Sequence, residues 1–289
     1  MSFLKVEGLT HVFGEGTPYR KTAIKNVSFS LEKGEILGII GHTGSGKSTL
    51  VSHLNGLMKA TSGKVFIDEK DIWENPKEIK KIRSKVGLVF QYPEYQLFEE
   101  TVYKDIAFGP KNMGMSDEQI NNAVLNSSRL MRIKDELLEK SPFDLSGGQK
   151  RRVAIAGVMA MEPEVIVFDE PTAGLDPKGR ETIFKAIYNY RKERNATVVI
   201  VSHSMEDIAA VCDKVLVMNK GEVALFGTTR EVFSRLDDLK SMGLNVPQIT
   251  NVMLELKLKY KDLDANVLTV DEALSSLLKL LNKEGKENA

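Results

Sequence analysis

The 289-residue sequence contains a single cysteine and no long apolar run. Cys212 therefore cannot form an internal disulfide, and no cysteines and histidines have the spacing of a zinc site. We expect Cys212 to be a small buried apolar side chain. The longest apolar stretches, such as residues 36–40 and 165–168, are far shorter than the roughly 18 residues that cross a bilayer. The N-terminus also lacks the features of a signal peptide, so we expect a cytosolic chain that meets a membrane only through a partner or an amphipathic surface.

The sequence has no excess of charge of either sign. Lys and Arg together number 40, as do Asp and Glu, so the formal net charge is zero. Proteins that bind nucleic-acid phosphates usually carry a strong basic excess, and we therefore expect no nucleic-acid partner. Hydrophobic residues make up 42% and charged residues 28% of the chain, which excludes disordered and collagen-like classes.

Short β-type runs alternate with helical patterns along the first 226 residues. Residues 165–168 and 198–201 are continuous β-branched runs, which are typical of central parallel strands covered on both faces. The pattern predicts an α/β protein with a mostly parallel sheet. Other predicted strands are residues 3–6, 26–31, 35–40, 65–67 and 86–90, with a hairpin formed by residues 214–218 and 222–226.

Two parts of the chain are predicted to be helical. The strand signal stops between residues 92 and 145, where residues 116–139 are predicted to form one helix capped by Ser116 and Gln119. We interpret residues 92–145 as a helical insertion into a domain of residues 1–226. Residues 227–289 are predicted to form a helical extension, with caps at Thr228 and Thr269 and a helix start at Pro247.

The strongest local signal is a phosphate-binding loop between a predicted buried strand and a predicted helix. It fits the pattern G-x-x-x-x-G-K-[ST], in which backbone N–H groups and a helix start form a site for phosphates. We expect Lys47 to reach the β- and γ-phosphates of a nucleotide and the Ser48 hydroxyl to bind Mg²⁺. The loop consists of Gly41, His42, Thr43, Gly44, Ser45, Gly46, Lys47, Ser48 and Thr49.

Acidic residues follow a second predicted strand. Asp169 ends the apolar run 165–168, at the edge where α/β sheets bind ligands, and is expected to hold the Mg²⁺ shell. Glu170 is one residue further and is expected to polarise the attacking water. His203 ends the strand 198–201 and is a candidate partner of the γ-phosphate. Without the phosphate loop, the acids would fit a solvent-facing strand end equally well, and His203 would fit an ordinary surface or core histidine better than a functional one.

A second glycine-rich turn, Leu145–Gln149 (LSGGQ), precedes another helical run. It is also a candidate phosphate site at a helix N-terminus. Two such sites in one chain are unusual, and we expect one of them to serve the nucleotide of another subunit.

These motifs, in this order, resemble those of the ATP-binding subunits of ATP-binding cassette (ABC) transporters, over about residues 3–226. The resemblance implies a P-loop NTPase fold with an antiparallel β subdomain. It identifies residues 41–49 as the Walker A loop, 165–169 as Walker B, 173–176 as the D-loop and LSGGQ as the signature. It also implies that ATP and Mg²⁺ are the cofactors.

The same resemblance assigns roles to single residues. It makes Glu170 the catalytic carboxylate and His203 the switch histidine, and it makes either Phe13 or Tyr19 the aromatic that stacks on adenine. The other implied sites are Ser48, Gln91 and Asp169 for Mg²⁺, and Ser146, Gly147, Gly148 and Gln149 for the ATP of the partner cassette.

Residues 16–24, 89–112 and 145–164 and the helical tail carry a closer resemblance. They resemble the A-type ATPases of energy-coupling factor (ECF) importers, and most of all their second A paralogue. It implies a heterodimer of cassettes at the cytoplasmic face of the membrane. The partners would be a paralogous cassette, a transmembrane T component and an S component that captures a vitamin or a transition-metal ion. It also implies that the C-terminal helices contact the other cassette.

The aromatic segment after Gln91 is predicted to contact the transmembrane partner through Tyr92, Tyr95, Leu97 and Phe98. Ordinary core packing is the alternative for some of these side chains. The alternative function is a soluble ABC ATPase that acts on nucleic acid or ribosomes, which the zero net charge and the single cassette disfavour.

Overall fold

The computed structural model describes residues 2–287, and the side chains of residues 2–281. The strands are β1 (Leu4–Phe13), β2 (Lys21–Leu31), β3 (Ile36–Ile40), β4 (Ser62–Ile67), β5 (Lys70–Asp71), β6 (Val86–Val89), β7 (Val165–Asp169), β8 (Thr197–Val201), β9 (Lys214–Asn219) and β10 (Glu222–Thr228). The helices are α1 (Lys47–Leu54), α2 (Ile79–Lys85), α3 (Val102–Asn112), α4 (Asp117–Leu130), α5 (Gly147–Met159), α6 (Pro177–Arg194), α7 (Met205–Val211), α8 (Thr229–Ser234), α9 (Leu236–Ser241), α10 (Gln248–Lys259) and α11 (Val270–Glu287).

The strands form two sheets. The smaller sheet is antiparallel, with the order β2-β1-β4-β5, and corresponds to the predicted antiparallel subdomain. The larger sheet has the order β10-β9-β3-β8-β7-β6, in which every pair but β9–β10 is parallel. The predicted mostly parallel sheet is therefore confirmed.

The central strands of the larger sheet are buried on both faces, as their apolar runs predicted. On β3, Ile36 and Ile40 pack into the cluster that includes helices α3 to α6, whereas Leu37 and Ile39 pack towards α1 and the antiparallel sheet. The alternation of side chains along a strand produces this division. Because β3, β8 and β7 are parallel neighbours, the loops that follow them meet at one edge of the sheet.

The helix predicted for residues 116–139 is too long. The capping box of Ser116 and Gln119 is present, but α4 ends at Leu130. Arg132 then adopts a left-handed backbone conformation with φ of 51°, and the N–H of Ile133 donates to the carbonyl of Ser128. This reversal brings Met131 and Ile133 into the core, and their burial ends the helix earlier than its sequence pattern indicated.

Residues 228–287 form the four helices α8 to α11, with the predicted caps at Thr228 and Thr269 and the predicted start after Pro247. The extension has an apolar cluster of its own, which includes Met253, Leu263 and Val267. Leu274, Leu278 and Leu281 recur at helical spacing on α11 and remain exposed. The single cysteine, Cys212, is buried as predicted, and burial raises the pKa of its thiol.

Candidate functional site

A cleft of about 560 Å³ lies where β3, β7 and β8 end. It brings together most of the residues that the sequence proposed for a nucleotide and a metal ion. Residues from both sheets and from the phosphate loop form its walls: Phe13, Lys21, Thr22, Ala23, Thr43, Gly44, Gly46, Lys47, Ser48, Thr49, Gln91, Asp169, Glu170, His203, Lys220 and Gly221.

The phosphate loop connects β3 to α1. Gly46 has a left-handed φ of 103°, and a Cβ there would lie 2.8 Å from the carbonyl oxygen of Ala23, so only glycine fits. The N–H of Gly221, in the β9–β10 turn, donates to the carbonyl of Ser45 and ties the phosphate loop to this turn. Of the loop residues, Gly41, His42 and Ser45 do not line the cleft, and their carbonyls accept hydrogen bonds from Lys47 Nζ and from the Gly221 N–H.

Lys47 is the cation at the floor of the cleft. Its Nζ donates to the carbonyls of Gly41 and His42 at 2.6 and 3.0 Å. Burial lowers the pKa of Lys47, and the negative charges of Glu170 and Asp169 oppose that shift. The ammonium is therefore desolvated and held by carbonyl dipoles, an environment in which an anionic phosphate is strongly attracted.

The two acids lie side by side but in different environments. Burial raises the pKa of Asp169, while a hydrogen bond from Ser48 and the charge of Lys47 oppose the shift. Burial also raises the pKa of Glu170, to about 7, because a hydrogen bond from the His203 backbone only partly compensates. A carboxylate with a pKa near neutrality is suited to general-base chemistry.

Glu170 is held in an unusual geometry. Its φ is 54°, in the left-handed region, which costs a non-glycine residue about 1–3 kcal/mol. Its N–H donates to the carbonyl of Val201 at 3.0 Å, which ties it to β8. Glu170 Oε1 is buried without a hydrogen bond among the described residues and lies 3.4 Å from His203 Nε2. Burial and the nearby Lys47 lower the pKa of His203, which disfavours the protonated ring that an ion pair with Glu170 would need.

The structure distinguishes between the two aromatic candidates. Phe13, at the end of β1, lines the cleft and is 44% exposed. Tyr19 lies in the β1–β2 loop, is 88% exposed and does not line the cleft.

Sequence reasoning missed some of the cleft residues. Lys21, Thr22 and Ala23 come from the start of β2, and Lys220 and Gly221 come from the β9–β10 turn. Their only sequence signals were a lysine beside the Phe13–Tyr19 region and a hairpin turn. Neither signal indicates that these residues lie near the phosphate loop. They come close to the loop only because the two sheets pack against each other.

The signature residues do not line this cleft. Ser146 caps α5 in a capping box with Gln149, and a Cβ at Gly147 would meet open space. Ser146 and Gly148 instead line a second concave surface of about 470 Å³ together with residues 174–176 of the predicted D-loop. The two glycine-rich motifs of one chain therefore serve different surfaces.

A buried arginine connects the segment after Gln91 to the helix of the signature. Arg151, on α5, is 3% exposed, and its Nε and Nη2 donate to the Glu94 carboxylate at 2.9 and 2.5 Å. Its Nη1 donates to the carbonyl of Ala173, and its guanidinium lies over the ring of Tyr92 at 5.6 Å. Sequence analysis did not identify this cluster, because Glu94 and Arg151 are 57 positions apart.

Comparison with known proteins agrees with this geometry. The sequence matches the family described as "ABC transporter" over residues 24–173. It is 52% identical to the energy-coupling factor transporter ATP-binding protein EcfA2 of Clostridium tetani, over 97% of this chain and 98% of that protein. The EcfA2 protein of Bacillus licheniformis is 48% identical, over 97% of this chain and 98% of that protein. This chain belongs to the ATP-binding subunits of energy-coupling factor transporters.

Solved structures of other ATP-binding cassettes are also similar to this chain. CbiO1 from Clostridium perfringens, described as part of the ABC transporter complex cbiONQ, is 40% identical, with a TM-score of 0.74 over 88% of this chain and 99% of that chain. A dimeric cassette, MJ0796 bound to ADP and Pi, is 31% identical, with a TM-score of 0.70 over 78% of this chain and 98% of that chain. The predicted ABC cassette fold is confirmed, and the chain is an ABC ATPase that couples ATP hydrolysis to transport.

None of the helices described between residues 2 and 287 combines the length and the hydrophobicity needed to span a bilayer.

Proposed function

We propose that this chain is one of two cassettes whose ATP-driven closure powers the uptake of a vitamin or a transition-metal ion through membrane subunits. The observation that carries the proposal is the separation of the two phosphate-type motifs. The cleft is lined by the phosphate loop, by the aromatic Phe13 and by acids, but its lining includes no residue of the signature LSGGQ. A partner cassette placed head to tail would supply its own signature to this cleft.

Within the cleft, each proposed role follows from chemistry and position. Phe13 stacks on adenine, and His203 hydrogen-bonds the γ-phosphate. The backbone of residues 43–44 and 46–49 holds the phosphates together with the Lys47 side chain. Glu170 orients the attacking water, because its buried carboxylate has a raised pKa and an oxygen that lacks a hydrogen bond.

The same cleft fits Mg²⁺. Ser48, Gln91 and Asp169 present a hydroxyl, an amide and a carboxylate to one space, and oxygen donors of these kinds are those that Mg²⁺ prefers. Ser48 also donates a hydrogen bond to Asp169, so two of the three candidate Mg²⁺ ligands lie together. We propose that these residues hold the ion, which would neutralise phosphate charge.

In the closed pair, Ser146, Gly147, Gly148 and Gln149 would cover the γ-phosphate bound to the partner. The start of α5 supports this role, since its first N–H groups lie at an exposed helix N-terminus with no side chain at Gly147. ATP would drive closure because it binds the closed pair more tightly than the open one, and hydrolysis would remove that difference.

Substitution of Ser146 by arginine tests the proposed trans role. We expect the isolated Ser146→Arg chain to bind ATP within about twofold of wild type, because its own cleft is intact. Turnover of the assembled pair should fall to background, because the arginine blocks the approach of the partner's γ-phosphate. Equilibrium ATP binding and steady-state phosphate release measure the two quantities.

Ser116→Arg provides a matched control. Ser116 also caps a helix through a capping box, so both substitutions remove an equivalent cap, worth about 1 kcal/mol. The control should retain turnover. Loss of ATP binding by the Ser146→Arg monomer would show that LSGGQ serves its own site or supports the fold.

The segment after Gln91 is the proposed contact with the transmembrane T component. Tyr92, Tyr95 and Phe98 are exposed, which supports that prediction. Leu97 is buried in the core, so the prediction that it contacts the membrane partner is wrong, and core packing explains it. The pairing of Glu94 with Arg151 would transmit movements of this segment to α5 and to the D-loop.

Cysteine crosslinking tests the contact with the membrane partner. A cysteine at Tyr95, which is 84% exposed, should crosslink to a cytoplasmic helix of the T component in the assembled complex. Tyr19→Cys is the control, because Tyr19 is equally exposed but lies in the β1–β2 loop. Crosslinks from position 95 only to the other cassette would refute this placement.

We further propose that residues 227–289 contact the partner cassette and that the partner is a paralogue. The exposed leucines of α11 provide an apolar stripe for such a contact. Relatives are named as ATP-binding proteins of energy-coupling factor transporters, and CbiO1 is described as part of a multi-subunit complex. The chain would thus be held at the cytoplasmic face of the membrane by its partners.

Mass spectrometry of the complex extracted in mild detergent tests the proposed function. We expect this chain, a paralogous cassette, a T component and an S component, with no nucleic acid. Co-purification of nucleic acid or ribosomal proteins without membrane subunits would favour the alternative of a soluble ABC ATPase.

A further inference from the structure

Two histidines, His11 and His53, lie in contact beside the nucleotide cleft. His11 is on β1, and His53 is in the last turn of α1, the helix that follows the phosphate loop. His53 is 1% exposed, and the centroids of the two rings are 4.8 Å apart. Neither residue lines the cleft, and neither has a role in the phosphate chemistry proposed above.

Hydrogen bonds hold the two rings in place. His53 Nδ1 lies 2.7 Å from the carbonyl of Thr49, which can only accept, so Nδ1 carries the hydrogen. Burial lowers the pKa of His53, and its hydrogen bonds to the backbone carbonyls of Thr49 and Lys59 oppose that shift. His11 Nδ1 lies 3.2 Å from His53 Nε2, within hydrogen-bond distance. The His11 ring is therefore held against a helix whose first residues line the cleft.

The His11 ring in turn contacts Phe13. Their centroids are 4.5 Å apart and their planes are at 75°, an edge-to-face arrangement that is favourable for aromatic rings. Phe13 and Thr49 both line the cleft. Thr49, His53, His11 and Phe13 therefore form a continuous chain of contacts from the phosphate side of the cleft to its aromatic wall.

We propose that His11, held by His53, is a positioning residue that fixes the Phe13 ring for stacking on the base of the nucleotide. This inference rests on the proposed role of Phe13 in binding adenine. A half-exposed ring that already has its binding orientation loses less side-chain freedom when the base arrives, so affinity rises without a new contact to the ligand. His11 then affects base recognition and leaves phosphate binding unchanged.

The backbone of β1 is held independently of these rings. The N–H of Val12 donates to Thr61 Oγ1 at 3.0 Å, and the N–H of Thr61 donates to the carbonyl of Thr10 at 2.9 Å. Removing the His11 side chain should therefore leave the strand in place. The effect of the substitution is expected at the Phe13 ring.

The test measures the affinity of the full chain for Mg-ATP and for Mg-tripolyphosphate, which has no base. Phe13→Ala should weaken ATP binding about fivefold to a hundredfold, the range expected when a base loses a stacked aromatic. His11→Ala should weaken it about twofold to tenfold, and the double variant should bind no more weakly than Phe13→Ala. Tripolyphosphate binding should be unchanged in all three. His11→Phe, which keeps an aromatic ring but removes the hydrogen bond, should weaken ATP binding in the same direction.

Three other outcomes would contradict the proposal or its premise. ATP affinity at the wild-type level in both His11 variants, with a loss in Phe13→Ala, would overturn the inference and leave the role of Phe13 intact. Parallel weakening of ATP and tripolyphosphate would show that the histidines only support the loop. An ATP affinity at the wild-type level in Phe13→Ala would show that Phe13 does not bind the base. The proposed role of His11 would then also be wrong.

Discussion

Lys47→Ala is expected to reduce ATP affinity roughly 10²- to 10⁴-fold and to abolish measurable hydrolysis. The ammonium is desolvated at the floor of the cleft, where it would contact the β- and γ-phosphates. A hydrogen bond to a charged group contributes about 1.5–3 kcal/mol, so the loss of two such contacts corresponds to that range. Equilibrium ATP binding and steady-state phosphate release measure the effect.

The fold should survive this substitution. Lys47 donates to two carbonyls of the phosphate loop, but glycine conformations and backbone hydrogen bonds, such as that from Gly221 N–H to the Ser45 carbonyl, also hold the loop. Lys25→Ala is the control, because Lys25 is an exposed lysine that pairs with Glu222. Thermal unfolding should be similar for both variants, and hydrolysis by Lys47→Ala within a few-fold of wild type would refute the assignment.

Glu170→Gln is expected to slow ATP hydrolysis on the order of 10²- to 10⁴-fold while ATP affinity is retained. The amide preserves shape and hydrogen-bonding capacity but cannot act as a general base, and removal of a general base has an effect of this size. The phosphate loop and Lys47 hold the nucleotide and are unchanged. Since opening of the pair depends on loss of the γ-phosphate contact, the variant should accumulate as a closed pair with ATP bound.

The measurement mixes the variant with its partner and Mg-ATP, then follows dimer state and phosphate release together. Glu164→Gln is the control, because Glu164 is an acid just before the same strand and pairs with the surface lysines Lys33 and Lys85. Rapid phosphate release by Glu170→Gln would exclude Glu170 as the general base. Slow release without a closed pair would refute the trapping mechanism alone.

The order and type of most elements could be predicted from the sequence. Continuous β-branched runs are typical of strands covered on both faces, and β7 and β8 have that environment. The end of α4 could not be predicted, because the burial of Met131 and Ile133 outweighs the helical pattern of residues 131–139. The register of β1, which pairs with both β2 and β4, also depends on contacts distant in sequence.

The sequence by itself determined the phosphate loop and the acids, because their chemistry depends on residues that are neighbours in the chain: a strand, glycines, a lysine and a helix start, or a strand end with two carboxylates. Only the tertiary structure decided which aromatic faces the cleft, since Phe13 and Tyr19 are close in sequence and differ in where β1 and its loop direct them. The same holds for the burial of Leu97, the pairing of Glu94 with Arg151 and the contact of His11 with His53. These contacts join separate elements, so they depend on how sheets and helices pack, which no local pattern of residues specifies.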